Sequence, residues 1–342
     1  MSQEDSKAKI LLTGKTGQVG RQLARLLERL GEVTAVDRQQ LDLSKADDIR
    51  RVVRRVQPDL IVNAAAYTAV DRAESEEAAA QAINAVAPGV LAEEAKRAGA
   101  LLVHYSTDYV FDGAKGKPYE EDDPTNPLSV YGRTKLEGER AIERANPAYL
   151  IFRTAWVYAR EGRNFLLTIL RLASEKEELR IVRDQTGAPT SSGEIAAATV
   201  TVLEQIRKPA GDNRRWPEIR GIYHMTAGGE TSWYEFAKMI LELAASQSRP
   251  EAWLAAATGG RPLMARRVVP ITTTEFPTPA RRPRYSVLSN KRLNEEFGVT
   301  LPDWETQLRA VFSGAGELVA TKKEPSGDLS YKFPVKKISR KR

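Results

Sequence analysis

The 342 residues contain no cysteine, which rules out disulfides, thiolate metal sites and a cysteine nucleophile. Histidine is nearly absent too. His104 and His224 stand far apart, so no zinc cage is encoded, and Ser-His-Asp chemistry would hang on one well-placed ring. No stretch approaches the roughly 20 apolar residues that span a bilayer. The opening MSQEDSKAKILLTG passes from polar residues into a short strand-like run and lacks the apolar core of a secretory signal. These absences give a cytoplasmic address by default, with no membrane insertion.

The chain does carry charge, a formal +7, but residues 321–342 alone hold eight Lys or Arg against two acids. The remainder is close to neutral, so a nucleic-acid partner is not indicated. Rich in Pro, Gly, Ser and charge, the segment 313–342 reads as a solvated, disordered extension. What precedes it is long enough for two domains.

Short β-branched runs alternate with longer helical patterns. KILLTG, EVTAVD, DLIVNAAA, ALLVHYST and YLIFRTAWVY read as strands. Between them lie helical stretches from about Gln18, over KADDIRRVVRRV, and across SEEAAAQAINAVAPGVLAEEAKRAG. Strands this uniformly apolar, separated by crossover-length helices, predict an α/β fold: a doubly wound parallel (Rossmann) sheet covered on both faces. Residues 1–160 form this nucleotide-binding half. Residues 161–312 are less regular and read as a smaller α/β substrate domain, with some segments returning to the first.

Three groups of residues carry chemistry. TGKTGQVG follows the first strand, and Gly14, Gly17 and Gly20 would let a pyrophosphate approach the backbone and the free N–H groups of a helix start. It is not a Walker loop, since Lys9 stands where glycine is required. Asp37 ends the second strand and would bind the adenosine ribose while repelling a 2′-phosphate, whereas Arg38 would attract that phosphate. NADH and NADPH both remain open. The third group is HYSTDYVFDG with YGRTK, which supplies Thr107, Tyr131 and Lys135. A ketone reduced by hydride develops negative charge on oxygen and needs a proton donor and hydrogen-bond donors. Tyr131 can give the proton, Thr107 can orient the carbonyl, and Lys135, one helical turn on, favours the phenolate. Tyr234 and Lys238 repeat the spacing, but no glycine loop and no strand-end hydroxyl precede them in the expected order.

With VNAAAYTAVDRAESE, NFLLTILRLA, DQTGAPT and FPTPARRPRYSVLS, these motifs resemble the extended short-chain dehydrogenase/reductases, and within them the dTDP-4-dehydrorhamnose reductases, over about residues 9–312. The resemblance implies reduction of the C4 ketone of a dTDP-sugar by NADPH or NADH, in dTDP-rhamnose biosynthesis, by a monomer or homodimer. It makes Thr107, Tyr131 and Lys135 the catalytic set. It places Gly17, Gln18 and Val19 at the pyrophosphate, Asp37, Asp42 and Leu43 near adenosine, and Ala64, Ala66, Tyr67 and Thr68 along the cofactor. Asp108, Trp156 and Arg282 become substrate contacts, a packing role being the alternative for Trp156. The family is also associated with Mg²⁺ at a subunit contact; Gln22 stands where an acid would suit that site, so no metal ligand is assigned. Another nucleotide-sugar reductase or epimerase is the neighbouring reading. A non-catalytic relative, such as a methionine adenosyltransferase regulatory subunit, is the reading from a different class.

Overall fold

The computed structural model describes residues 7–207, 216–247 and 251–314; the basic tail lies outside the described residues from 315 on. Five apolar runs form strands β1 (Ala8–Thr13), β2 (Gly31–Val36), β3 (Leu60–Asn63), β4 (Leu101–Thr107) and β5 (Ala148–Thr154). A sixth strand, Arg220–His224, comes from the second half of the chain. The order is β2-β1-β3-β4-β5 and then Arg220–His224, with every neighbouring pair parallel.

Successive residues of a strand point to opposite faces, and here both faces are covered. Ile10, Leu12, Val62, Val103 and Phe152 pack beneath helix α1 (Gln18–Leu26) and the helix Ser192–Ile206. Leu11, Ile61, Leu102 and Ile151 pack beneath helix α2 (Ala46–Val56) and the helix Ala87–Ala98. The chain winds from β1 outward to β2, then crosses back to β3 on the other side. At such a reversal a crevice opens beyond the C-terminal ends of the strands.

Two elements expected to be continuous are interrupted. YLIFRTAWVY breaks at Trp156, whose φ of 47° is left-handed. A residue with a Cβ adopts this region at a cost and cannot continue an extended ladder. The two-residue strand Val157–Tyr158 then pairs elsewhere, with Thr190–Ser191. The long helical stretch divides into Glu77–Gln81, a π turn at Ala82–Val86, and Ala87–Ala98. Pro88 offers no N–H to the carbonyl one turn back, and the wider turn accommodates the gap.

Beyond residue 160, the helices Phe165–Ala173, Trp233–Ala245 and Trp304–Ser313 enclose a separate apolar cluster that includes Leu166, Ile169, Phe236, Ile240 and Leu308. Beside it runs a parallel pair, Glu178–Val182 with Arg267–Ile271. The stretch 279–288 then crosses the loop after β4. Gly113 (φ 78°) is so close to it that a Cβ would lie 2.7 Å from the Arg284 nitrogen. Tyr119 bridges to Leu288. This return carries Arg282 and Ser286 towards the end of β4. Among the described residues, no helix is long and apolar enough to cross a membrane.

Candidate active site

A cleft of about 620 Å³ opens at the sheet reversal. Helix α1 starts at Gly17 with no side chain capping it, so the first amide N–H groups are left for a ligand. Gly14, Gly17, Gln18 and Val19 line the cleft. Gly14 has φ 76°, and a Cβ there would come within 2.8 Å of the Ala65 nitrogen. Gly20, expected at the cofactor, does not line the cleft. It is buried, and a Cβ would lie 2.0 Å from the Gly14 carbonyl oxygen. Its place is the close packing of helix on loop.

Asp37, Arg38, Asp42 and Leu43 line the part of the cleft beyond β2. Asp37 accepts from the Gln39 and Gln40 amides at 3.0 and 3.2 Å and pairs with Lys15 Nζ at 3.2 Å. Lys15 foremost, then the amides, hold its carboxyl below the usual range. Ala64, Ala66, Tyr67 and Thr68 form the wall after β3. Asn84, in the π turn, grips both the Tyr67 amide (2.8 Å) and its carbonyl (3.0 Å), which fixes that wall. Ser106 and Thr154 also line the cleft, and their buried hydroxyls have no hydrogen-bond partner among the described residues. Orphaned hydroxyls, an uncapped helix start and a glycine loop together suit a dinucleotide.

Tyr131 lies in the first turn of the helix Val130–Ala145, whose N-cap Ser129 accepts from the Gly132 amide at 3.2 Å. Gly132 lets this helix press against the loop after β4; a Cβ would be 2.2 Å from the Tyr109 carbonyl oxygen. The approach sets the Tyr131 hydroxyl beside Thr107. Burial pushes the Tyr131 phenol up to about 12, and Asp108 adds to the rise. Lys135, one turn on, is 1% exposed. Its Nζ donates to the Tyr105 carbonyl at 2.6 Å and meets His104 Nε2 at 3.2 Å. Burial lowers it to about 8, while Glu139 pulls the other way.

Asp108 accepts from Thr107 Oγ1 at 3.0 Å and lies by Ser286; burial pushes its carboxyl up to about 6. Trp156 is half-buried, its ring stacked on Trp233 at 3.4 Å and set against Gly187, where a Cβ would lie 2.4 Å from the indole. Arg282 donates to Asp71 at 2.8 Å and to the Ala280 carbonyl at 3.2 Å, and it lies beside Tyr109, whose ring meets Tyr131 edge-on. Its charge is thus already balanced by Asp71. The second pair is a surface feature: Lys238 binds Glu235 at 3.1 Å and lies 5.4 Å from the centre of the Tyr234 ring.

Sequence reasoning missed Lys15, Ser106, Thr154, Tyr109 and Asn84. Ser106 and Thr154 had a readable signal, being polar residues near the C-terminal ends of apolar strands. Asp71 and Arg282 are 211 residues apart and carried none.

A parallel sheet with its cleft at the reversal and a Tyr–Lys helix at the cleft's inner end is the architecture of an extended short-chain dehydrogenase/reductase. The chain matches the family model described as the RmlD substrate binding domain over residues 8–315. It is 50% identical over 296 residues to a dTDP-4-dehydrorhamnose reductase of Burkholderia thailandensis, covering 86% of this chain and 95% of that one. Among solved structures it resembles the dTDP-4-dehydrorhamnose reductase of Clostridium acetobutylicum (TM-score 0.78, 37% identity, covering 90% of this chain and 99% of that one). That of Bacillus anthracis, in complex with NADP, has TM-score 0.78, 32% identity and the same coverage. The chain belongs to the dTDP-4-dehydrorhamnose reductase family.

Proposed function

We propose that this chain reduces the C4 ketone of dTDP-4-dehydro-L-rhamnose to give dTDP-L-rhamnose. The observation that carries the reading is the meeting of Tyr131 with Thr107, with Lys135 one turn behind, at the inner end of a cleft suited to a dinucleotide. NAD(P)H, when bound there, supplies the hydride. Tyr131 keeps its proton at neutral pH because its phenol titrates near 12, so it can act as the general acid as charge grows on the carbonyl oxygen. Thr107 offers a second hydrogen bond to that oxygen. Lys135, charged below about pH 8, stabilises the phenolate left behind. Asp108 and Trp156 border the sugar, and Arg282, tied to Asp71 and Tyr109, presents a guanidinium edge towards the diphosphate.

Lys15 and Arg38 beside Asp37 leave the ribose end with a positive balance, which supports use of both NADPH and NADH. A separate cleft around Gln22 is lined by Arg21, Arg25, Arg29 and Arg160 as well as acids. Among the described residues no three metal-binding side chains converge, and this donor set suits a divalent cation poorly.

The test is incubation of the purified protein with dTDP-4-dehydro-L-rhamnose and NADPH or NADH, with the product identified by NMR. Formation of dTDP-L-rhamnose is expected. Cofactor oxidation only with a different nucleotide 4-keto sugar would move the reading to another reductase. No oxidation with any such sugar would favour a regulatory relative.

A further inference from the structure

Three buried polar side chains form a row across strands β1, β3 and β4. Thr13 of β1 is in register with Asn63 of β3, and Asn63 with His104 of β4. All three are at most 1% exposed. Thr13 Oγ1 lies 2.7 Å from Asn63 Oδ1, Asn63 Nδ2 lies 3.0 Å from His104 Nδ1, and His104 Nε2 lies 3.2 Å from Lys135 Nζ. The row ends on the lysine of the proposed site.

We propose that His104 is a positioning residue for Lys135, and that its imidazole changes tautomer with the charge on that lysine; this rests on the reading of Lys135 given above. The argument is a count of donors and acceptors. A neutral imidazole has one N–H and one lone pair. If Nζ is a free amine, Nε2–H donates to it, Nδ1 accepts from Asn63 Nδ2, and Asn63 Oδ1 accepts from the Thr13 hydroxyl. The placement of Asn63 Nδ2 towards His104 Nδ1 matches this state. If Nζ is an ammonium, Nε2 must accept, so the ring proton sits on Nδ1. Asn63 then turns its carboxamide oxygen towards Nδ1–H and its NH₂ towards the Thr13 oxygen, giving up the long 3.4 Å bond that Oδ1 accepts from the Ala65 amide. Between the two states one proton leaves Lys135, the ring proton passes from Nδ1 to Nε2, and the ring stays neutral.

The surroundings require such a device. Lys135 is buried, and among the described residues no carboxylate is paired with its Nζ. Glu139, one turn along its own helix, is committed to Arg153 of β5 through two hydrogen bonds, at 2.7 and 3.0 Å. Tyr131 lies one turn before it, and Asp108 acts on Tyr131 from the loop after β4. From the π turn comes only the uncharged Asn84, which faces Thr134. His104 itself cannot readily take a proton, because burial, followed by the charge of Lys135, holds it well below the ordinary histidine range. An uncharged ring that can accept from an ammonium or donate to an amine satisfies Nζ in both states.

The sequence contains two histidines, so ¹⁵N-histidine NMR of the full-length protein resolves them, with His104→Gln assigning the signal. From about pH 6 to about pH 10, His104 should pass from the Nδ1–H to the Nε2–H form without becoming an imidazolium. Lys135→Met should leave it in one tautomer throughout. A tautomer that stays fixed in the wild type, or an imidazolium signal, overturns the proposal. Variants give a second readout. His104→Leu should raise the cofactor KM several-fold and move the basic limb of kcat/KM to lower pH, because the ammonium loses an acceptor. His104→Gln, whose carboxamide oxygen can replace Nε2, should restore most of both. Equal effects of Leu and Gln would mean that the ring only fills space. The NMR result stands whichever sugar is reduced, so it fails separately from the functional reading.

Discussion

Asp108 is the place where this site should cost the fold most. Its side chain is 2% exposed, one oxygen is held by Thr107, and the other has no hydrogen-bond partner among the described residues. Burial raises its pKa from 3.8 to about 6. Because the folded state holds the proton more tightly than the unfolded chain, the stability this group contributes is complete below pH 3.8. It is lost as pH rises through about 6. At about 1.36 kcal/mol per pKa unit, ionised Asp108 destabilises the fold by roughly 3 kcal/mol above neutrality, about 2 of which accrue between roughly pH 4.5 and 7.5. Asp108→Asn removes this dependence while keeping an acceptor for Thr107. Urea melts of both proteins at several pH values give the difference directly. The variant should gain on the wild type by about 2 kcal/mol across that range, and lose activity because a substrate contact has changed. Parallel stability curves would show that Asp108 is not held in the environment described.

Asp37→Ala should raise the NADPH-to-NADH ratio of kcat/KM by roughly fivefold, since it removes a charge that would face the 2′-phosphate; an unchanged ratio would place Asp37 away from the ribose. Gly187→Ala pushes a methyl group into the Trp156 ring. It should lower kcat/KM for the sugar by roughly 10–100-fold with cofactor affinity intact, and equal damage to both would separate Trp156 from the substrate. Arg153→Met leaves Glu139 buried without its partner and should cost roughly 3–5 kcal/mol in urea melts. A loss under about 1 kcal/mol would contradict the pairing.

The sheet was legible because uniformly apolar strands separated by crossover helices have few ways to bury both faces. Most residues named for the dinucleotide gather in one cleft for a related reason: each stands on the loop, or in the first helical turn, that follows a strand, and parallel strands put those segments at one end. Gly20 packs against Gly14 and does not line the cleft; a glycine needed for packing and one needed for a phosphate look alike in a motif. Trp156 could not be seen breaking its strand, since nothing local in FRTAWVY announces a left-handed residue. Lys15 carried no signal in the glycine loop, although its ammonium reaches Asp37 across the turn. The Thr13–Asn63–His104 row was visible only as three polar residues in separate apolar runs. The strand register that joins them is a property of the sheet.

The central claim is that Tyr131, held by Thr107 and backed by Lys135, donates the proton in ketone reduction. Tyr131→Phe keeps the ring and removes only the hydroxyl, so the most direct measurement is its kcat with dTDP-4-dehydro-L-rhamnose, alongside NADPH binding by fluorescence and Tyr234→Phe as the control. We expect kcat to fall by roughly 10²–10⁴-fold, cofactor binding to persist, and Tyr234→Phe to match the wild type. A kcat within a few-fold of the wild type in Tyr131→Phe, or a collapse confined to Tyr234→Phe, would contradict the account.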